Sequence, residues 1–414
     1  MPTSPRSPIS TWLRPPRFRD AATEASPHRQ ATWLELFIDL VFVFAVASQI
    51  EVLREGAAWG DLGLFALAFA LTWWLWMDLS YYGDQFDSGG VGYRVALLAL
   101  AFVVLEVSQL GPGGLAQPGN SGAAFALAGT YLVLAGLYAW AHARNAQMRP
   151  LTRQYVGALL LGAAGFLAAG FAPVPLRFGL LVGTLALLML NSVTVYYRHA
   201  DLPSQLSHMP ERFGLFGIIL LGEGVTSVGA ATAHAEDTPA FLAMAAVAFA
   251  TASGLWWVFF NRANMGEISG ALEGGRAALL RSHAYGYSHL LVYLGLAVVS
   301  VGIEESLLGF AALDHGGAAP PHPAQAHAML AGGAGLTLAG CAVVARASSV
   351  GLPSGALAIR LLVAAGLGLW AWRGSTGHPG ADLLLTCAAV FVVVVAELFL
   401  VPHPREVGSD ADGG

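Results

Sequence analysis

The chain has 414 residues, of which 56% are hydrophobic and only 11% are charged, and its mean hydropathy is +0.61. A soluble domain carries roughly a quarter charged residues, so the composition excludes a set of soluble domains and predicts a polytopic membrane protein. The formal net charge is −6, and all 20 basic residues are arginine. The absence of lysine excludes retinal and pyridoxal phosphate, which are held as Schiff bases on a lysine amine.

Twelve apolar segments follow one another along the chain. Before them, residues 1–31 are rich in Pro, Ser and Arg and are predicted to form a disordered basic cytoplasmic tail; after them, residues 402–414 are predicted to form a polar cytoplasmic tail. Most segments have about 17–25 residues, the length of a helix that crosses a bilayer. They cover residues 33–50, 62–82, 94–111, 121–142, 152–171, 176–198, 211–230, 239–261, 283–304, 327–347, 355–373 and 381–401. The sequence thus predicts an all-α membrane protein with about 12 transmembrane helices.

The placement of arginine predicts how these segments are oriented, because cytoplasmic loops carry an excess of positive charge. If the N-terminus is cytoplasmic, 17 of the 20 arginines fall on the cytoplasmic side, and the other three are Arg54, Arg177 and Arg373. We therefore predict that both termini are cytoplasmic and that the protein resides in the bacterial cytoplasmic (inner) membrane.

The second half of the chain repeats features of the first in the same order. The matching features are Glu35-Leu36-Phe37 and Glu211-Arg212-Phe213, Trp73-Trp74 and Trp256-Trp257, and Glu106 and Glu304. Each half would contain six segments, which is an even number, so the halves would be parallel and related by an axis along the membrane normal. We predict two parallel six-helix repeats, at residues 32–200 and 201–401.

Ionisable residues inside apolar helices are costly and usually functional. Glu35 and Asp39 are four residues apart and fall on one helix face, and Arg212 and Glu223 share a face of the seventh segment. An acidic N-terminal cap region is the simpler interpretation of the first pair. The full set of candidates is Glu35, Asp39, Asp78, Glu106, Arg212, Glu223, His289 and Glu304.

Acids at several depths resemble a stepping path for a cation or proton. In this hypothesis Glu35 and Asp39 form the cytoplasmic mouth. Glu106, Glu223 and Glu304 accept cations or protons, and Arg212 pairs with an acid. The protein would then be a cation channel or a proton-coupled transporter. The rival hypothesis is a non-transporting scaffold or sensor, in which the same charges hold helices together. An embedded enzyme would instead need donors converging in a wide polar cavity.

The sequence lacks the common motifs for phosphate-loop nucleotide binding, catalytic zinc, covalent haem attachment and a nucleophilic serine. It contains no G-x-x-x-x-G-K-[ST], H-E-x-x-H, C-x-x-C-H or G-x-S-x-G motif. We therefore predict no enzymatic activity, no cofactor and no metal site. The expected partners are the lipid bilayer and a cation or proton, with no nucleic acid, and homo-oligomerisation is left open.

Three stretches carry a resemblance to a known family. They are residues 32–45 (TWLELFIDLVFVFA), 211–223 (ERFGLFGIILLGE) and 285–290 (YGYSHL) followed by Gly302-Ile303-Glu304. They are similar to signatures of the bacterial low temperature requirement protein A (LtrA) family. The resemblance implies a membrane protein without an established substrate, and the family is named for a cold-growth phenotype.

A second resemblance concerns the first segment alone. Its pattern Glu35-x-Phe37-x-Asp39-x-Val41-Phe42 resembles the Phe-Ser-Asp helix of the lysosomal and prokaryotic potassium channels, with Ile38 in place of the serine. Those channels also carry six-helix repeats. The resemblance implies that the first and seventh segments line a pore.

Overall fold

The fold is known from a computed structural model that describes residues 14–19, 32–55, 59–87, 89–108, 114–115, 117, 119–199, 209–234, 238–261, 275–314, 316, 322–348 and 352–401. Within these residues, twelve helices are long and apolar enough to cross a membrane. This confirms the all-α membrane class. Lipid offers no hydrogen-bond partners, so each apolar segment satisfies its backbone N–H and C=O groups internally as a helix.

We number the helices in chain order. They are α1 (Trp33–Glu55), α2 (Trp59–Gln85), α3 (Val91–Ser108), α4 (Gly122–Arg144), α5 (Arg149–Phe171), α6 (Val174–Arg198), α7 (Met209–His234), α8 (Pro239–Phe260), α9 (Gly275–Asp314), α10 (Pro323–Ala347), α11 (Ser354–Arg373) and α12 (Pro379–Leu400).

Local sequence sets several of the helix ends. A proline occupies the first or second position of α5, α6, α8, α10 and α12, where its missing N–H costs nothing. At the start of α8, the hydroxyl of Thr238 accepts a hydrogen bond from the backbone N–H of Phe241 at 3.1 Å. Helix α11 ends at Arg373 and is followed by Gly374, whose φ of 110° suits glycine.

One helix differs clearly from its predicted bounds. The segment predicted at 283–304 is part of α9, which has 40 residues. The prediction followed the apolar run, and a helix does not have to end where its side chains become polar. As a result α9 extends beyond the apolar stretch at both ends, and it is among the most enclosed helices of the bundle.

Several helix contacts correspond between the two halves of the chain. Helix α1 packs on α2 and α3, as α7 packs on α8 and α9. Helix α5 packs between α4 and α6, as α11 packs between α10 and α12, and the contact of α2 with α6 corresponds to that of α8 with α12. These contacts correspond between the halves, whereas in the described part of the chain the contacts of α12 with α9 and α10 have no counterpart of similar extent among those of α6 with α3 and α4, and the repeat stays a prediction. The halves meet where α1 and α2 contact α7 and α9.

Helices α9 and α10 approach so closely that their backbones touch. A Cβ atom added at Gly302 of α9 would lie 2.3 Å from the backbone nitrogen of Leu330. A Cβ added at Gly333 of α10 would lie 2.5 Å from the backbone nitrogen of Val299. Glycines allow this approach because they have no side chain. Between membrane helices there is no hydrophobic driving force, so close van der Waals packing stabilises the interface.

Part of the predicted disordered tail is ordered, which corrects that prediction for residues 14–19. A short strand β1 (Arg17–Phe18) pairs antiparallel with β2 (Phe86–Asp87), just after α2. The backbone N–H of Phe18 donates to the side-chain oxygen of Asn145 at 2.9 Å, while the Asn145 amide donates to the carbonyl of Pro16 at 3.2 Å. The Asn145 side-chain amide thus makes one accepted and one donated hydrogen bond to this backbone, as a neighbouring strand would. The other residues of both predicted tails lie outside the described residues.

Candidate functional site

Two charged clusters join the same three helices, α1, α7 and α9. We call the end of the bundle at which α1 begins the lower end, and the opposite end the upper end. The lower cluster brings together the three stretches that carry the family resemblance, although residues of its first two stretches lie 173 positions apart in the chain. The convergence makes this cluster the first candidate site.

At the centre of the lower cluster, Asp39 of α1 forms an ion pair with Arg212 of α7. The Asp39 carboxylate accepts hydrogen bonds from Arg212 Nη2 at 2.5 Å and from Trp76 Nε1 at 2.7 Å. The two charged side chains are 1% and 7% exposed. The Arg212 guanidinium also lies 5.6 Å from the centre of the Trp76 ring, in cation–π range. Both charges are therefore neutralised inside the protein.

Aromatic side chains of α9 enclose this ion pair. His289 stacks on Phe213, the residue after Arg212, with ring centres 4.2 Å apart. The Tyr293 hydroxyl donates to the carbonyl of Phe213 at 2.6 Å. His289 Nδ1 lies 2.7 Å from the carbonyl oxygen of Tyr285. A carbonyl can only accept, so Nδ1 carries a proton. His289 is thus held in place by its own helix and by Phe213.

Glu35 has a different role from Asp39, although the two share a helix face. Its Oε2 accepts from the Thr32 backbone N–H at 2.7 Å and from the Thr32 hydroxyl at 2.9 Å. In return the Thr32 hydroxyl accepts from the Glu35 backbone N–H at 3.3 Å. This reciprocal arrangement is a capping box at the start of α1. The acidic-cap interpretation therefore describes Glu35, while Asp39 lies in the core.

The upper cluster is centred on Arg54, near the end of α1. Its Nε donates to Glu304 of α9 at 2.9 Å, its Nη1 to Glu51 at 2.6 Å, and its Nη2 to the Ser227 hydroxyl of α7 at 3.2 Å. Burial by itself lowers the pKa of Arg54, but the hydrogen bond to Glu51 and the carboxylates of Glu304 and Glu223 outweigh it, and the pKa is raised. Arg54 therefore stays charged.

Apolar residues lie between the two clusters. Asp39 and Arg54 are separated along α1 by about 22 Å, at 1.5 Å per residue. Between these levels, Phe42 and Val46 of α1 and Phe216 of α7 are fully buried. In the part of the chain that the structure describes, apolar side chains are thus buried between the levels of the two clusters.

Two of the predicted path residues lie away from both clusters. Asp78 is buried and faces α4, where the Tyr131 hydroxyl donates to its Oδ2 at 3.2 Å. Glu106 lies on an exposed face of α3, next to the exposed Phe102 one turn earlier. Glu223 is half-buried and belongs to the surroundings of Arg54. The predicted residues are therefore divided among several places and do not form one row.

Sequence reasoning missed the centre of the upper cluster. Arg54 entered only the orientation argument, yet Glu51 lies three residues before it, a spacing that allows an ion pair on a helix. Sequence reasoning also missed Trp76 as the indole donor to Asp39. Arg360 entered only the count of cytoplasmic arginines, and its partner was not foreseen: it lies inside α11, is 1% exposed and pairs with Glu397 of α12. Among the described residues, no group of three His, Cys, Asp or Glu side chains could hold a metal ion.

Comparisons with known proteins agree with the motif segments. Residues 30–397 match the family described as bacterial low temperature requirement A protein (LtrA). The chain is also 26% identical over 310 residues to a protein of Rhizobium meliloti (strain 1021) whose name states that it is uncharacterized, and this similarity covers 72% of each chain. No solved structure matches the chain. With most of its length covered by the family match, the chain belongs to the bacterial low temperature requirement A (LtrA) family.

Proposed function

We propose that this protein carries a cation or a proton across the bilayer and that its two charged clusters act as gates. The observation that carries the proposal is a pair of interhelical ion pairs at opposite ends of α1, one to α7 at the lower end and one to α9 at the upper end. Helix α1 comes from the first half of the chain, and α7 and α9 come from the second. A movement of one half against the other therefore opens or closes these contacts.

Ion pairs suit a gate because their closed state is only moderately favourable. Removing two charges from water costs several kcal/mol per ion, and their attraction repays that cost only when the geometry is good. When the halves separate at one end, water or a cation can replace the arginine at Asp39 or at Glu304. The net energy of opening is then small compared with the attraction itself.

The residues between the clusters support gating at two levels. Phe42, Val46 and Phe216 are apolar and fully buried between the levels of the two clusters, which is what a closed path requires. Opening the lower cluster alone would expose Asp39, and opening the upper cluster alone would expose Glu304. This is the alternating access that transporters with internal repeats use. We place the lower end in the cytoplasm, on the basis of the arginine distribution.

A second candidate function is a scaffold or sensor that transports nothing. The observation that favours it is the closed state of both ion pairs, because Asp39 already has two strong donors in Arg212 and Trp76. A scaffold needs such fixed contacts, whereas a transporter must break them in each cycle. The two functions therefore differ in whether the contacts open.

Ion flux into liposomes distinguishes these functions. Purified protein is reconstituted with gradients of K⁺, Na⁺ or H⁺, and wild type is compared with Asp39→Asn and Glu304→Gln. Glu211→Gln is the matched control, since Glu211 lies next to Arg212 but outside the ion pair. We expect flux of one of these ions in wild type and in the control, and at least a tenfold loss in the two cluster variants.

Two outcomes would overturn the proposal. Absence of flux for all three ions, in wild-type protein that is folded, favours the scaffold. Unchanged flux in both cluster variants would remove the clusters from the transport path. Folding is checked for each variant by size-exclusion chromatography, so that a loss of structure is not mistaken for a loss of transport.

A further inference from the structure

Asp78 is a buried acid that belongs to neither charged cluster. It lies on α2, about 10 Å from the lower end of that helix at 1.5 Å per residue, and it is 3% exposed. Among the described residues its hydrogen-bond partner is the Tyr131 hydroxyl of α4, which donates to Oδ2 at 3.2 Å. Asp39, by contrast, has the Arg212 guanidinium as its counter-charge. In the described part of the chain, Asp78 is thus an acid inside the membrane without a basic partner.

The surroundings of Asp78 supply hydroxyl groups in place of a counter-charge. Among the described residues, the ionisable groups that interact electrostatically with Asp78 are phenols from its own helix and from α4, α5 and α9. They are Tyr81, Tyr131, Tyr138, Tyr155 and Tyr287. A neutral phenol donates a hydrogen bond but does not cancel a negative charge. Burying a carboxylate without a counter-charge is strongly unfavourable, and such a group takes up a proton and becomes neutral instead.

Polar side chains continue from Asp78 towards the lower end of the bundle, and we call this set the tyrosine column. On α2, Tyr82 and Gln85 follow Asp78 by four and seven residues, so they share its helix face, and both are buried. On α4, Tyr138 follows Tyr131 by seven residues, which also places it two turns nearer the lower end. The rings of Tyr82 and Tyr138 are in contact, with centres 5.0 Å apart. Polar groups of two helices thus lie at successive levels below Asp78.

Several buried polar atoms in and beside the tyrosine column have no hydrogen-bond partner among the described residues. Two are the hydroxyls of Tyr138 and Tyr155, whose rings stack with centres 4.6 Å apart. A third is Oε1 of Gln85, while Nε2 of the same side chain donates to the Tyr196 hydroxyl at 2.8 Å. Buried polar groups are as a rule satisfied, and internal water satisfies them where protein groups do not. The column therefore offers hydroxyl groups and positions for internal water, along which a proton moves in short steps.

We propose that Asp78 is a proton-binding site and that it exchanges its proton with the lower side of the membrane through the tyrosine column. The proton comes from water at the lower end and binds to the Asp78 carboxylate, which becomes a neutral carboxyl group. On release the proton returns along the same hydroxyl groups, and no other bond changes. Acids inside membrane helices are typical of proton relays. This site is separate from the gate residues Asp39 and Glu304, and it does not require that the protein transports an ion.

Infrared spectroscopy of the full-length protein in liposomes tests the proposal. The C=O stretching band of a protonated carboxyl group is recorded at neutral pH, and its shift is followed after transfer from H₂O to D₂O. Asp78→Asn is the test variant. Its amide has nearly the shape of the neutral acid and still accepts from Tyr131, so this variant should be as stable as wild type. Asp61→Asn is the matched control, in the first turn of the same helix.

We expect wild type and Asp61→Asn to show a protonated-carboxyl band that Asp78→Asn lacks, and we expect this band to shift in D₂O. Tyr138→Phe removes a hydroxyl that has no partner among the described residues, so it should fold normally and slow the D₂O exchange several-fold. Tyr197→Phe, at an exposed position of α6, should leave the exchange rate unchanged.

Three results would count against the proposal. Identical spectra of wild type and Asp78→Asn would mean that Asp78 is ionised, which overturns the proton-binding site. A band of Asp78 that does not shift in D₂O would make it a sealed structural acid and would overturn the exchange. Equal exchange rates in wild type and Tyr138→Phe would overturn the route through the tyrosine column. None of these readouts depends on ion flux.

Discussion

Asp39 and Arg212 form a buried ion pair between α1 and α7, across a separation of 173 residues in the chain. Their carboxylate and guanidinium are almost completely removed from solvent. The pair is therefore a link between the two halves of the molecule. Its partner Trp76 adds α2 to the same contact, since the indole N–H donates to Asp39.

Breaking this pair on one side should destabilise the protein strongly. Asp39→Asn leaves the Arg212 guanidinium buried without a counter-charge, and we expect a loss of about 3–5 kcal/mol in the free energy of unfolding. The double variant Asp39→Asn/Arg212→Met removes both charges and keeps an acceptor for Trp76, so it should recover more than half of that loss. Denaturant unfolding in mixed micelles measures both values.

The control for this experiment is Glu211→Gln, which should change the free energy of unfolding by no more than about 0.5 kcal/mol. If the Asp39 and Arg212 substitutions have additive effects, the two residues do not interact energetically. That result would mean that the ion pair contributes little to stability or to gating.

The fold was predictable from the sequence because lipid imposes a simple rule on composition and length. Every predicted span corresponds to a helix, although α9 runs well beyond its apolar stretch. The tail segment 14–19 could not be foreseen, because its order depends on Phe86 and Asn145, which are remote in the chain. The burial of Arg360 could not be foreseen either, because it depends on Glu397 in another helix.

The candidate site was only partly predictable. The helical spacing of Glu35 and Asp39 indicates a shared face, but spacing alone does not separate a capping residue from a core residue. The partners of Asp39 and Arg54 lie in other helices, and a single sequence contains no signal for contacts at such distances. The depth of a charge could be read from the sequence, whereas its partner required the structure.

The capping box gives a prediction that separates the role of Glu35 from that of Asp39. Glutamine can accept the same hydrogen bonds at this position, so Glu35→Gln should change both stability and ion flux very little. Thr32→Ala removes the reciprocal cap and should cost about 1 kcal/mol in the free energy of unfolding. If Glu35→Gln abolished flux without loss of stability, the charge of Glu35 would belong to the transport path.

The contact between α9 and α10 predicts a sharp dependence on side-chain size. At Gly333 an added Cβ would lie 2.5 Å from the backbone of Val299, so Gly333→Ala must push the two helices apart and should cost about 1–3 kcal/mol. The matched control is Gly366→Ala in α11, where the new Cβ would have no described atom of another helix within 4 Å. Alanine favours a helix over glycine, so the control should be as stable as wild type or more so.

Unfolding of both glycine variants in mixed micelles tests this prediction. Equal stability of Gly333→Ala and Gly366→Ala would show that α9 and α10 can separate without cost. The close approach of the two backbones would then not be a determinant of the fold.

A final prediction concerns two corresponding side-chain pairs in the two halves. Gln154 of α5 donates to Asn191 of α6 at 3.3 Å, and Arg360 of α11 donates to Glu397 of α12 at 3.0 Å. In both cases the two residues are 37 positions apart, near the start of one helix and the end of the next. The correspondence supports the predicted repeat, with an amide pair in one half and an ion pair in the other.

If the two pairs are equivalent, the ion pair should be replaceable by the amide pair. Arg360→Gln alone leaves the buried Glu397 carboxylate without its counter-charge and should cost about 3–5 kcal/mol in the free energy of unfolding. The double variant Arg360→Gln/Glu397→Asn recreates the pair of the first half and should recover most of this loss. If the double variant loses as much free energy of unfolding as the two single variants together, the two pairs are not equivalent. In that case the Arg360 contact with the Cys341 carbonyl, at 2.8 Å, would be the interaction that the second half cannot lose.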